Sequence, residues 1–195
     1  MRRSFCGPDP RPIWSPIRST GAKNLVAVFH SDRYEEGWDT YGDPEELYER
    51  FDGEHPLVME MLDKIESWRM WVLCDREPIR DWSKGRVTLL GDAAHPMLQY
   101  LAQGACMATE DAVCLAHKLD EAGGDFEQAA QAYQQARYLR TARVQLMARI
   151  YGDIYHAADA TADLRNHMLG QSPAESYKGV EWLYGGVDDT GAQVI

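Results

Sequence analysis

An α/β fold with a helix-rich second half is predicted by three features of the sequence. Short β-rich or alternating runs stand at Asn24–Ser31, Ser67–Asp75 and Arg86–Leu90. Helical spacing of apolar residues sets in near Gln103 and persists to about residue 169. The composition, 45% hydrophobic and 26% charged, is that of an ordinary globular chain and argues against wholesale disorder. At 195 residues the chain has room for one domain and a remainder.

The same arithmetic narrows the function. Twenty Lys and Arg against 31 Asp and Glu leave a net charge of −11, which makes general nucleic-acid binding a poor expectation. No uncharged apolar run approaches the roughly 18 residues that a membrane-spanning helix needs. Cys6, Cys74, Cys106 and Cys114 are scattered with no C-x-x-C pair, so neither a zinc site nor a disulfide framework is expected. The histidines show no metal spacing. The N-terminus lacks the apolar core of a signal peptide. A reducing, cytoplasmic setting follows as an expectation.

Each element has a local reason. Residues 1–23 carry Pro8, Pro10, Pro12 and Pro16 and read as extended or irregular chain. Asn24–Ser31, with Leu25, Val26, Val28 and Phe29, reads as a strand. Asp43-Pro44-Glu45-Glu46 reads as an N-cap, a proline at the first helical position and acids in the first turn. The acidic stretch around it, nine carboxylates in residues 35–54, is a solvated helix face. His55-Pro56 opens a second short helix, with Val58, Met61, Leu62 and Ile65 on one side. Ser67–Asp75 alternates Trp68, Met70, Val72 and Cys74 and reads as a strand, with a turn at Asp75–Pro78. Arg86–Leu90 is near-continuously apolar up to Gly91 and reads as a buried, parallel-type strand.

A helix follows from Gln103 to about Leu119, with Ala105, Ala108, Ala112 and Leu115 or Ala116 on its apolar face, ended by Gly123-Gly124. Asp125 with Gln128 resembles a capping box for a long helix that places Phe126, Ala130, Tyr133, Leu139, Ala142, Leu146, Ile150 and Ile154 at helical spacing. A short helix at Asp159–Leu169 and a Gly-rich irregular tail, Gln171–Ile195, complete the chain. The domain organisation reads as an irregular segment 1–23, a part of a substrate domain 24–82, a ligand-motif region 83–124 and a helical region 125–195.

The chemistry concentrates between Gly85 and Asp111, GRVTLLGDAAHPMLQYLAQGACMATED. A strand running into Gly91-Asp92 would put a carboxylate at a strand's carboxyl end, where open α/β sheets bind ligands. Such a carboxylate accepts hydrogen bonds from a sugar or polyol. Ala93 and Ala94 leave space for a large ligand near the backbone. Gln103-Gly104-Ala105-Cys106-Met107 opens a helix whose exposed N–H groups favour an electron-rich group. Glu110-Asp111 lies too far along that helix to cap it. Physically, then, the stretch offers an acid for hydroxyls and a cluster of donors for an anion. A turn with a packing glycine would look the same.

GRVTLLGDAAHP followed by AQGACMATEDA resembles the second FAD motif of the single-component aromatic hydroxylases, which are flavoprotein monooxygenases. NLVAVFHS, HPLVMEMLDKIESWRMWVLCDREP and EWLYGG are similar to its 3-hydroxybenzoate 6-hydroxylase branch. The resemblance implies a partial FAD-binding aromatic-hydroxylase fold: a portion of the substrate-domain sheet, one FAD-domain strand and long C-terminal helices. It implies FAD as cofactor, NADH or NADPH as co-substrate with O2, and a phenolic or benzoate substrate. It gives Asp92, after Gly91, to the ribityl chain. It gives the amides of Ala105, Cys106 and Met107, after Gly104, to the pyrimidine edge of the flavin, where a helix N-terminus stabilises negative charge. Many members carry proline at the position of Gln99; the branch carries a glutamine directed at the substrate. Gln99 and Pro96 are thereby expected at the substrate, and His95 beside Pro96 is expected to be structural. Cys106 reads as a small packing residue.

Three things that the resemblance leads one to seek are missing. No two of the sixteen glycines are separated by a single residue, so G-x-G-x-x-G, which would bind the ADP half of FAD, is not found. The family's midway Asp-Gly motif is also lacking. Arg11-Pro12-Ile13-Trp14-Ser15-Pro16-Ile17-Arg18 stands where a His-x-x-x-Tyr pair would be sought. The expectation is therefore the C-terminal part of such an enzyme, inactive in isolation. Its rivals are a non-catalytic remnant and an interaction subunit that docks onto a separately encoded N-terminal half. Self-association into a homodimer would suit its apolar helix faces.

Overall fold

A computed structural model of the chain describes residues 13–19, 22–29, 37, 39–171 and 179–185. The described residues fall into two units, one of those up to Leu73 with Tyr155–Arg165, the other of Cys74–Ile154 with those from Asn166. The expectation of an α/β sheet is corrected. The described residues are mostly helical, and their strands pair only as two separate antiparallel hairpins.

In the first unit, β1 (Ile13–Ser19) pairs with β2 (Ala22–Val28). The predicted strand at residue 24 thus starts two residues earlier, and its partner comes from the segment expected to be irregular. Pro16 sits opposite Leu25 in that ladder. A proline is tolerated because a two-stranded ladder leaves the N–H groups on its outer side unused. The predicted helices form as α1 (Pro44–Arg50) and α2 (Pro56–Leu62). Asp43 caps α1 by accepting from the Glu45 amide at 2.9 Å, and His55 Nδ1 accepts from the Leu57 amide at 3.2 Å. Leu47, Phe51, Val58 and Leu62 form the buried cluster, lined by Leu25, Ala27, Phe29 and Trp68.

The strand expected at 67–75 is not formed. Among the described residues one isolated β-bridge, Tyr41 to Arg69, pairs it with another segment. The alternation itself is real: Trp68, Met70 and Val72 are half-buried, while Arg69, Trp71 and Leu73 are exposed. Side-chain period reports which face is covered, but a strand also needs a neighbour along its length.

In the second unit, Asp75–Pro78 is irregular chain rather than a turn, clamped by Arg149, which donates to Asp75 at 2.5 Å and Glu77 at 2.9 Å. The run Arg86–Leu90 is neither buried nor parallel. β3 (Ser83–Lys84) and β4 (Val87–Thr88) make a short antiparallel hairpin around Gly85, leaving Val87 65% exposed. Among the described residues no strand other than the two-residue β3 lies beside this run, so its apolar residues divide. Leu89 packs near Trp82 and Tyr133, and Leu90 faces outward.

α3 (Gly104–Glu121) ends at Gly123-Gly124, both with positive φ. Its expected alanine face is corrected: Ala105, Ala112 and Ala116 are exposed, and the buried stripe is Met107, Asp111 and Cys114. α4 (Phe126–Tyr155) starts where Asp125 Oδ1 accepts from the Glu127 and Gln128 amides. Ala130, Tyr133 and Ala142 are buried as expected; Leu139, Leu146 and Ile150 are exposed. The difference is made up by Gln134, Arg137, Arg140, Thr141, Gln145 and Arg149, which turn inward. Gln134 Oε1, for example, takes the amides of Trp82 and Ser83 at 2.7 and 2.8 Å. α5 (Asp159–Gly170) forms as predicted. The tail is not wholly irregular: α6 (Glu181–Tyr184) buries Leu183 with Met107 and Val144. Residues 172–178 and 186–195 of that tail lie outside the described residues.

Candidate functional site

The chain leaves β4 and turns sharply at Gly91. This residue is buried with φ +58°, and a Cβ there would lie 3.1 Å from the Cβ of Ala108. Both the left-handed backbone and the contact with α3 demand glycine. Gly91–Ala93 forms a tight 3-10 turn, whose Gly91 carbonyl accepts from the Ala94 and His95 amides at 2.9 Å each. Arg76 holds the turn from its carbonyl side, donating to Ala93 and, at 3.0 Å, to Ala94.

Asp92 emerges from this turn exposed, and its carboxylate lies beside the start of α3. A Cβ placed on Gly104 would be 3.8 Å from Asp92 Oδ1. The Gln103 side chain does not cap α3 but donates to the Leu101 carbonyl at 3.2 Å. Gly104, Ala105 and Cys106 are the first three helical residues, whose N–H groups have no acceptor one turn back. Met107 is different. Its amide donates to the Gln103 carbonyl at 2.9 Å and its side chain is fully buried, so of the expected amides only those of Ala105 and Cys106 are unengaged in the helix ladder.

Gly91, Asp92 and Gly104 are therefore brought together, with exposed Ala105 and Cys106 alongside. The arrangement can accept hydrogen bonds from hydroxyls through the carboxylate and donate to an electron-rich edge through the helix start.

Pro96 and Gln99 belong to the next stretch, which is anchored on α4. The Pro96 carbonyl accepts from Gln145 Nε2 at 2.9 Å. Gln99 is exposed at the start of a second 3-10 turn, Gln99–Leu101. Tyr100 of that turn packs on Gly152, where a Cβ would come within 2.6 Å of the ring, so α4 has a glycine where the turn docks. Burial raises the Tyr100 phenol above its ordinary pKa, and Asp153 adds to this.

His95 is fully buried, with Nε2 2.5 Å from Asp111 Oδ2, consistent with the structural part expected of it. Asp111 is the residue that sequence reasoning missed. It accepts from the Gly91 amide at 3.0 Å, from His95, and from Arg137 Nε at 2.7 Å. Burial works to raise its pKa, but the His95 and Arg137 bonds outweigh this and hold the carboxyl below its ordinary value. An ionised carboxylate only accepts, so His95 Nε2–H is the donor in this bond. Beside it, Glu110 accepts from Arg137 at 2.7 Å and from Arg140 through two bonds of 2.7 Å, while Arg140 reaches the Leu183 carbonyl at 2.9 Å. The spacing was legible: Asp111 falls in step with buried Met107 and Cys114, and Arg137 in step with buried Tyr133 and Val144.

Comparison with known proteins identifies the family of this chain. Residues 6–147 match the FAD binding domain family. The chain is 45% identical over 186 residues to a 3-hydroxybenzoate 6-hydroxylase of Klebsiella oxytoca, covering 95% of this chain and 47% of that one. It is 44% identical to another from Polaromonas naphthalenivorans, covering 93% and 46%. The chain thus spans about half the length of these curated relatives. Among solved structures, a salicylate hydroxylase substrate complex superposes with a TM-score of 0.70 at 25% identity, over 94% of this chain and 47% of that one. Klebsiella pneumoniae HpxO complexed with FAD and uric acid gives 0.68 at 26%, over 85% and 43%. The chain belongs to the FAD binding domain family.

Proposed function

We propose that the chain forms the flavin- and substrate-facing part of an aromatic hydroxylase acting on a phenolic acid such as 3-hydroxybenzoate. The observation that carries this reading is the Asp92 carboxylate standing beside the start of α3, which has no side-chain cap. Asp92 accepts hydrogen bonds from ribityl hydroxyls. The Ala105 and Cys106 amides, with Gly104 between them and Asp92, donate to the pyrimidine edge. There the positive end of α3 favours the charge that collects on reduction. When bound and reduced by NADH or NADPH, FAD supplies the activation of O2 that ring hydroxylation requires. Gln99 presents an amide to the substrate, and Pro96 shapes the wall beside it.

The reading is tested in a chimera in which this chain replaces the matching 47% of the Klebsiella oxytoca enzyme. The chimera should be yellow and should oxidise NADH in the presence of 3-hydroxybenzoate. Asp92→Ala should weaken FAD binding by about tenfold or more, since it removes hydrogen bonds to a charged acceptor. A folded chimera without flavin, or an Asp92→Ala variant with unchanged FAD affinity, overturns the reading.

A further inference from the structure

We infer that Asp111 is a positioning residue for the cofactor site. It acts through the Gly91 amide to aim Asp92 at the start of α3. The inference rests on the flavin reading above for its ligand, but its physical basis is independent of it.

Asp111 lies seven residues into α3 and is wholly buried, so it cannot touch a ligand. What it touches is the turn that carries Asp92. Its Oδ2 holds the Gly91 amide at 3.0 Å and His95 Nε2 at 2.5 Å, on either side of Asp92 in sequence. Its Oδ1 is held by Arg137 Nε at 2.7 Å, from α4. Gly91 also meets α3 closely at Ala108, where a Cβ would lie 3.1 Å from that residue's Cβ. The turn is therefore pinned to α3 at both ends of the five-residue span Gly91–His95, and Asp92 has little choice of direction. A carboxylate is needed for this, because three donors converge on it and an amide side chain offers one accepting oxygen where a carboxylate offers two. Arg137 supplies the charge that keeps the carboxylate ionised while buried.

The test uses the full chain and two readouts. The first needs no flavin: exchange of the Gly91 amide with deuterium, followed by NMR. Asp111→Asn should speed it by about tenfold or more while the amides of α1 and α2 are unchanged. The second compares riboflavin with lumiflavin, which lacks the ribityl hydroxyls, by fluorescence quenching. The preference for riboflavin should fall in Asp111→Asn to the level seen in Asp92→Ala, and the double variant should be no worse than either. A merely structural role would weaken both flavins alike. If Asp111→Asn does not fold, Asp111→Leu combined with Arg137→Met removes both buried charges and is read in the same two assays.

An unchanged Gly91 exchange overturns the proposal. So does a riboflavin preference that survives the loss of Asp111 while Asp92→Ala abolishes it. A parent chain that binds flavins with no preference for riboflavin, unaffected by Asp92→Ala, instead removes the flavin reading. The Gly91 exchange then still decides whether Asp111 holds the turn.

Discussion

Two buried clusters, one in each unit, are built by opposite means. Leu47, Phe51, Val58 and Leu62 are apolar, come from two short helices joined by five residues, and need only shape to fit. His95, Asp111, Arg137, Glu110 and Arg140 are ionisable and come from a turn and two long helices. The first cluster lowers free energy by removing apolar surface from water. The second removes charges from water, which costs free energy unless each finds its partner. What it gains is direction: hydrogen bonds between fixed partners hold the Gly91–Ala93 turn at one angle, which dispersion contacts alone do not. The polar cluster lies under the candidate site; the apolar one lies in the other unit.

The largest expected effect breaks the polar cluster by half. Asp111→Ala leaves His95 and the Gly91 amide without their acceptor and Arg137 with Glu110 as its remaining carboxylate, and should cost about 3–5 kcal/mol in urea unfolding. Leu62→Ala in the apolar cluster should cost about 3 kcal/mol, by cavity formation. The distinction lies in the second step. Adding Arg137→Met to Asp111→Leu should restore most of the stability, whereas a second truncation beside Leu62 should only add to the loss. If Asp111→Ala costs no more than about 1 kcal/mol, the charges are not isolated from water and the contrast collapses.

Acid should separate the clusters next. The Asp111 carboxyl is held below its ordinary value in the folded chain by His95 and Arg137 against the opposing effect of burial. Its contribution is therefore complete above the unfolded value, about pH 4, and is lost as pH falls from there through the lowered one. Unfolding midpoints of the wild type and of the Asp111→Leu/Arg137→Met variant should converge or cross below about pH 4. The Leu62→Ala offset should stay constant. A wild-type advantage undiminished in acid would remove the assignment of an ionised, paired Asp111.

The smallest effect sharpens the apolar side. Asp43→Ala removes the cap that accepts from the Glu45 amide at 2.9 Å, at an expected cost of about 1 kcal/mol. The loss should be read as faster exchange in α1 with no change at Gly91.

Much of the candidate site was legible because its requirements are local. A glycine with positive φ, an aspartate next to it, and a glycine-led helix start stand within fourteen residues, and the resemblance lay in that stretch. What sequence reading misjudged was partnership. Arg86–Leu90 is apolar enough for a buried strand, yet a strand is completed by neighbours, and here its partner is the two residues of β3. The alanines of α3 outrank Asp111 on any hydrophobicity scale, yet Asp111 is the buried residue because donors reach it from three sides. Leu139, Leu146 and Ile150 share the helical spacing of Ala130, Tyr133 and Ala142, yet they are exposed.

By itself, then, the sequence determined the helices, their caps and stops, and the Gly91-Asp92 turn, since each depends on residues within about four positions of one another. Only the tertiary structure decided which faces are buried, and that Asp111 meets Arg137 across 26 residues of chain. A charge carries no mark of its partner in the sequence. Two helices packed together supply it, and burial is then permitted because the Coulomb attraction and the hydrogen bonds offset the lost hydration.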